Sequence, residues 1–266
     1  MPSMLQDKYA VVFGAAGSIG AAVAREFAAE GAEVFLAGRK GDAVELVAKE
    51  IRADGGRAHG AELDALDQTA VEEFVASVVS RTGRLDIQFN AVGPRIHEYG
   101  NGKPATELSI EEFTTAVNTV AGSQFLTARA AARRMVTQGS GVVIFLTGSP
   151  ARPHTPGATA IGAAFAAVEN VMRTMALELG PAGVRAVCVR TAANPDTRTI
   201  RETADVLAAM AGTTGDQQME RLARSTMLGT SPTTRDTARA AAFLASDGAR
   251  MMTGTVLNSS AGAVAD

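Results

Sequence analysis

The chain of 266 residues has no tryptophan, one cysteine (Cys188) and two tyrosines, Tyr9 and Tyr99. A lone cysteine excludes an internal disulfide and a zinc site built on several thiolates. Lysine occurs only at Lys8, Lys40, Lys49 and Lys103, so nothing beyond residue 103 offers a phenol or an ammonium group. An excess of charge is lacking too. A net charge of −3 gives no ground for a nucleic-acid or acidic-membrane partner. No apolar run is long enough to span a bilayer. Residues 1–8 lack the basic start and apolar stretch of a secretory leader. A cytoplasmic, enzyme-sized protein is expected.

What is present is a core-forming composition, 46% hydrophobic, which needs no staple at this length. Apolar runs lie at Tyr9–Phe13, Glu33–Ala37, Leu85–Phe89, Val142–Leu146, Val184–Val189 and Thr255–Asn258, with a weaker one at Arg57–Leu63. Helical patterns separate them, at about 18–30, 42–54, 67–81, 109–137 and 157–180. Near-continuous apolar strands alternating with helices predict an α/β fold with a parallel sheet covered on both faces. Right-handed crossovers make that sheet doubly wound. No repeat or linker divides the chain, so one domain over 1–266 is expected. Residues 191–232 are polar and rich in threonine and arginine, which suggests a substrate lid rather than a second domain.

The first strand runs into Gly14-Ala15-Ala16-Gly17-Ser18-Ile19-Gly20. Gly14 suits a tight turn, Gly17 a close approach of backbone to pyrophosphate, and Gly20 tight helix–strand packing. The amides opening the helix, at Ser18 and Ile19, then face the anion. A glycine triplet ending the first strand of a strand–helix–strand unit is the context that dinucleotide binding requires. The second strand ends in Gly38-Arg39-Lys40, with no acid for a ribose 2′-hydroxyl. Two cations there suit a 2′-phosphate and favour NADP(H) over NAD(H), with Arg39 as the main contact. A solvated basic turn is the alternative.

Further motifs resemble the short-chain dehydrogenase/reductase family over nearly the whole chain. Leu63-Asp64 is similar to the family's acid after the third strand, which touches the adenine edge. Asn90-Ala91-Val92-Gly93 resembles the turn after the fourth strand. Val117-Asn118-Thr119 sits where the family has its helix asparagine, and Met175–Leu179 resembles the end of the fifth helix. Phe243–Asp247 and Thr253–Asn258 resemble the last helix and strand. The resemblance implies a seven-stranded Rossmann sheet of order 3-2-1-4-5-6-7, a small-molecule substrate, and a homodimer or homotetramer.

The same resemblance marks a departure at the chemistry. The family's Tyr-x-x-x-Lys falls on Ile161 and Phe165, and its serine on Gly148, with Ser149 and Thr147 beside it. Asn118 alone of the four family residues remains. The Pro-Gly after the sixth strand becomes Thr191-Ala192. The adenosine half of the site is thus expected to be kept and the nicotinamide half rebuilt. Losing a positioned general acid costs about 10²–10⁴ in rate.

Replacement groups are sought in the loops at the carboxyl ends of the strands, where ligands bind in such sheets. Tyr99, His97 and His154 are candidate proton donors, and Ser149 a candidate hydroxyl. Arg95, Arg152 and Arg190 each follow or end a strand. Their convergence would favour an anionic substrate, but three independent surface or ion-paired arginines are the favoured expectation. Thr197 is the residue that the resemblance places at the nicotinamide carboxamide. Cys188, inside an apolar strand, is expected to be inert packing.

Three functions stay open: an NADP(H)-dependent oxidoreductase with a non-standard proton donor, a non-redox isomerase, lyase or cyclase on the same fold, and a non-catalytic cofactor-binding subunit.

Overall fold

The computed structural model describes residues 3–152 and 155–265. Seven parallel strands form one sheet in the order β3-β2-β1-β4-β5-β6-β7. They are β1 (Tyr9–Phe13), β2 (Glu33–Gly38), β3 (Arg57–Glu62), β4 (Ile87–Asn90), β5 (Gly141–Gly148), β6 (Val184–Thr191) and β7 (Val256–Ser259). Period-two alternation decides which face each side chain enters. Val11 and Phe13 join one core, covered by α3 (Gln68–Thr82), α4 (Ile110–Val117), α5 (Ser123–Gln138) and α6 (Thr159–Leu179). Ala10 and Val12 join the other, under α1 (Ser18–Ala29), α2 (Gly41–Ala53) and α9 (Thr234–Ala245). Both faces are therefore dry, which explains why the central strands read as unbroken apolar runs. β3 is an edge strand with partly exposed residues, and its pattern is correspondingly weak.

The sheet order reverses at β1, which pairs with β2 on one side and β4 on the other. Consecutive crossovers leave in opposite directions there, so the loops after β1 and β4 part and open a crevice.

Two stretches differ from the sequence pattern. The expected helix over 109–137 is interrupted at Asn118–Gly122 by a π turn, which separates α4 from α5. The 191–232 segment is not a loop but carries two helices, α7 (Arg198–Ala211) and α8 (Gly215–Arg224), that pack on each other. Thr197 and Thr214 cap their starts, and Gly212 ends α7 in the left-handed region. Asp196 ties this segment down by accepting from Thr234 N–H at the start of α9.

Candidate active site

A cleft of about 520 Å³ lies at the carboxyl ends of β1 to β4. Gly14, Gly17, Arg39, Lys40, Asp64 and Gly93 all line it, so the structure gathers six of the expected cofactor residues in one place. Gly14 has φ +72°, and a Cβ there would stand 2.9 Å from the backbone of Ala91 and Val92. Only glycine lets the β1 and β4 turns approach this closely. Gly20 does not line the cleft. Its Cβ would fall 2.3 Å from the Gly14 carbonyl, so its part is to seat α1 against the turn.

The start of α1 differs from most other helix starts. Asp67, Ser109, Thr197, Thr214 and Thr233 each accept a backbone N–H with a side-chain oxygen, whereas α1 begins at Gly17 with no side-chain cap. Orphan amides at an uncapped helix start favour an anion. Ser18 is exposed in this first turn, while Ile19 is half-buried and packs into the core beneath it.

Arg39 and Lys40 are exposed at the cleft rim, and neither side chain makes a hydrogen bond or ion pair with a described residue. Asp64 uses one carboxylate oxygen to accept from Leu66 N–H at 3.0 Å, which fixes its loop while the group stays exposed.

Asn90 was expected to contact the cofactor, and the structure gives it another task. It is 1% exposed, donates to the Thr127 hydroxyl at 2.9 Å and accepts from Val92 N–H at 2.7 Å. Burial on a central strand turns its amide into a brace for the Ala91–Gly93 turn. Sequence reasoning missed two similar devices. Thr127 on α5 is the anchor of that brace. Gln124, also on α5, pairs with both the N–H and the C=O of Leu146, completing β5 where short β4 no longer reaches it.

The far side of the site is apolar. Ile161 is 9% exposed and belongs to the core, and the Phe165 ring packs against the same core. A Cβ at Gly148 would lie 2.9 Å from Phe165 Cε2, so the ring covers the position where the resemblance places a serine. Gly148→Ser is expected to destabilise the protein by about 1–3 kcal/mol through overpacking. In a Phe165→Leu background the same change should cost less, a coupling of about 0.5 kcal/mol or more in a thermal double-mutant cycle. Equal cost in both backgrounds would show that the ring is not the obstacle.

Thr147 does not replace the serine, because its hydroxyl points into a buried cluster, donating to Glu169 at 3.3 Å and meeting Cys188 Sγ at 3.4 Å. Ser149 opens the short turn after β5 and is half-buried, and Asn118 is exposed at the π turn.

The three arginines do not converge, in keeping with the reading of each as an independent residue. Arg190 is 1% exposed and points inward, where Glu169 on α6 holds it through two bonds of 2.8 and 2.9 Å. Burial demands a counter-charge for a guanidinium, and Glu169 supplies it. Arg95 and Arg152 are exposed. An opposite charge inside each of two apolar elements was the sequence signal for this pair. Cys188 is fully buried, and burial pushes its thiol up to about 12, which leaves it inert.

Thr197 is also committed. Its hydroxyl donates to Asn194 C=O at 2.8 Å and accepts from Ile200 N–H as the cap of α7. Tyr99 is 5% exposed, and burial together with the Glu202 carboxylate raises its phenol to about 12. His97 is exposed, and His154 lies outside the described residues.

A parallel sheet with a crevice at its reversal point and an uncapped glycine turn defines a nucleotide-binding α/β protein. Comparison with known proteins narrows that class. A family model described as enoyl-(acyl carrier protein) reductase matches residues 14–263. The short-chain reductase protein NovJ of Streptomyces niveus is 30% identical over 255 residues, covering 95% of this chain and 92% of NovJ. D-threitol dehydrogenase of Mycolicibacterium smegmatis is 29% identical over 181 residues, 68% of either chain. The solved 7α-hydroxysteroid dehydrogenase complexed with NADH and 7-oxo glycochenodeoxycholic acid has a TM-score of 0.85 at 26% identity, over 100% of this chain and 97% of that one. An actinorhodin polyketide ketoreductase crystallised with NADPH shares the fold, with a TM-score of 0.89 at 23% identity and 97% of each chain covered. The chain belongs to the short-chain dehydrogenase/reductase family and has the NAD(P)-binding fold of those oxidoreductases. Among the described residues, no helix is long and apolar enough to cross a membrane.

Proposed function

We propose that the chain is an NADP(H)-binding oxidoreductase acting on a small carbonyl or hydroxyl compound, without the tyrosine and lysine of its family. The observation that carries this reading is the pair of exposed cations, Arg39 and Lys40, whose side chains have no partner among the described residues and which line one cleft with Gly14 and Gly17 of the uncapped α1 turn. A dianionic 2′-phosphate would meet two cations there, and no acid stands at the end of β2 to repel it. The carbonyl and polyol compounds in the relatives' names support the substrate class.

The residues fit the adenosine half of the cofactor. They do not show a holding group for the other half, where Ile161, Phe165 and Gly148 stand. NADP(H) supplies or accepts hydride when bound. Of the chain's own groups, Tyr99 keeps its proton throughout the neutral range, so it would serve as an acid and not as a base. That polarity suits carbonyl reduction, with water as the proton source if Tyr99 takes no part. Phe125, Val136 and Leu177, left exposed on α5 and α6, fit the homodimer or homotetramer implied by the family. A cytoplasmic location goes with this reading.

Calorimetric titration with NADPH and then NADH tests the proposal. Micromolar NADPH binding with about tenfold or greater preference over NADH is expected. A carbonyl panel should then oxidise NADPH, and Tyr99→Phe should slow turnover if the phenol donates. No binding of either nucleotide would overturn the reading. Binding without turnover on any carbonyl would favour the second reading, a non-catalytic cofactor-binding subunit, for which the absence of a proton-exchanging group at positions 161 and 165 already speaks.

A further inference from the structure

The two halves of the site are built differently, and the difference has a consequence for affinity. Every residue lining the cleft comes from the β1–α1 turn or the ends of β2, β3 and β4. Among the described residues, none from β5, α6 or the segment between β6 and α7 lines the cleft.

On that second wall the polar side chains are largely spent internally. Thr197 caps α7, and Thr191 bonds Asn194 and Thr237. Asn194 donates to Pro232 C=O at 3.0 Å, and Arg190 is held by Glu169. Phe165 lies over Gly148. Asn118 and Ser149 carry neutral polar groups on this side, and Arg152, the charged residue of the turn after β5, is exposed and does not line the cleft. A neutral hydrogen bond that replaces one to water adds little net affinity. Ordering a flexible ligand half also costs conformational freedom, which such contacts must first offset.

We infer that affinity for the dinucleotide resides in its 2′-phosphoadenosine and pyrophosphate portion, so that this chain binds 2′-phospho-ADP-ribose about as tightly as NADPH. The inference rests on the proposed NADP(H) reading and goes beyond it. It makes the chain a receptor for 2′-phosphorylated adenine nucleotides as a class, with the nicotinamide end left for a substrate to complete.

Calorimetry of the full-length protein with NADPH, 2′-phospho-ADP-ribose and ADP-ribose tests it directly. The dissociation constants of NADPH and 2′-phospho-ADP-ribose should agree within about fivefold, and ADP-ribose should bind at least about tenfold more weakly than either. NADPH tighter than 2′-phospho-ADP-ribose by more than about fivefold would overturn the inference while leaving NADP(H) binding intact. Failure of all three to bind would overturn the cofactor reading and the inference together. Equal binding of ADP-ribose would overturn the role given to the 2′-phosphate.

Discussion

Glu169→Ala should lower the unfolding free energy by about 3–5 kcal/mol, the usual consequence of removing one partner of a buried ion pair. Glu169 and Arg190 have side chains 3% and 1% exposed, and their two bonds join α6 to β6 directly behind Gly148. Removing the carboxylate takes away the counter-charge that holds this guanidinium through two bonds, on the sheet face it shares with Cys188. Arg173 and the Thr147 hydroxyl lose a shared acceptor at the same time. Replacing both partners with apolar residues, Glu169→Leu with Arg190→Met, should be much milder than the sum of the single changes. Urea denaturation of the three variants checks this. A loss below about 1 kcal/mol for Glu169→Ala would show that the pair is not what holds α6 on the sheet.

Arg39→Ala should weaken NADPH binding by about 10- to 100-fold, since a charge-assisted hydrogen bond is worth about 1.5–3 kcal/mol. NADH, which has no 2′-phosphate, should be nearly unaffected. Lys40→Ala should show a smaller loss, because a flexible ammonium acts as a point charge where arginine makes a planar fork. The NADPH effect should shrink as salt rises, because both side chains are exposed. Equal losses for NADPH and NADH would remove the 2′-phosphate assignment and leave Arg39 as a structural residue.

The strands and the glycine turn were legible because their causes are local. An apolar run of five or six residues needs only to know that it is dry on both faces. The glycines of the first turn mark a place where the backbone leaves no room for a side chain, since a Cβ at Gly14 would stand 2.9 Å from the backbone of Ala91 and Val92. Arg39 and Asp64 could be placed at the cleft because each follows a strand end, and parallel strands deliver their ends to one side. The helices α7 and α8 were missed although their caps are in the sequence at Thr197, Thr214 and Gly212. Few of their residues are buried and the segment is polar on average, so it reads as a polar excursion although its apolar residues recur at helical spacing. The side chains' own partners were not legible where a partner comes from a distant element. Asn90 is braced by Thr127, 37 residues away, and Arg190 is paired with Glu169, 21 residues away on another element.

By itself the sequence determined the doubly wound sheet, the glycine turn after β1 and the two cations after β2, and the want of tyrosine and lysine beyond residue 103. Those follow from periodicity, from glycine's conformational freedom and from composition, which any stretch of chain carries alone. Only the tertiary structure decided that Arg190 turns inward, that Asn90 and Thr197 serve the backbone, and that Phe165 covers Gly148. Each of those depends on which surface packs against which. A polar group removed from water must take the nearest partner, and that partner is set by the fold and not by the neighbouring sequence.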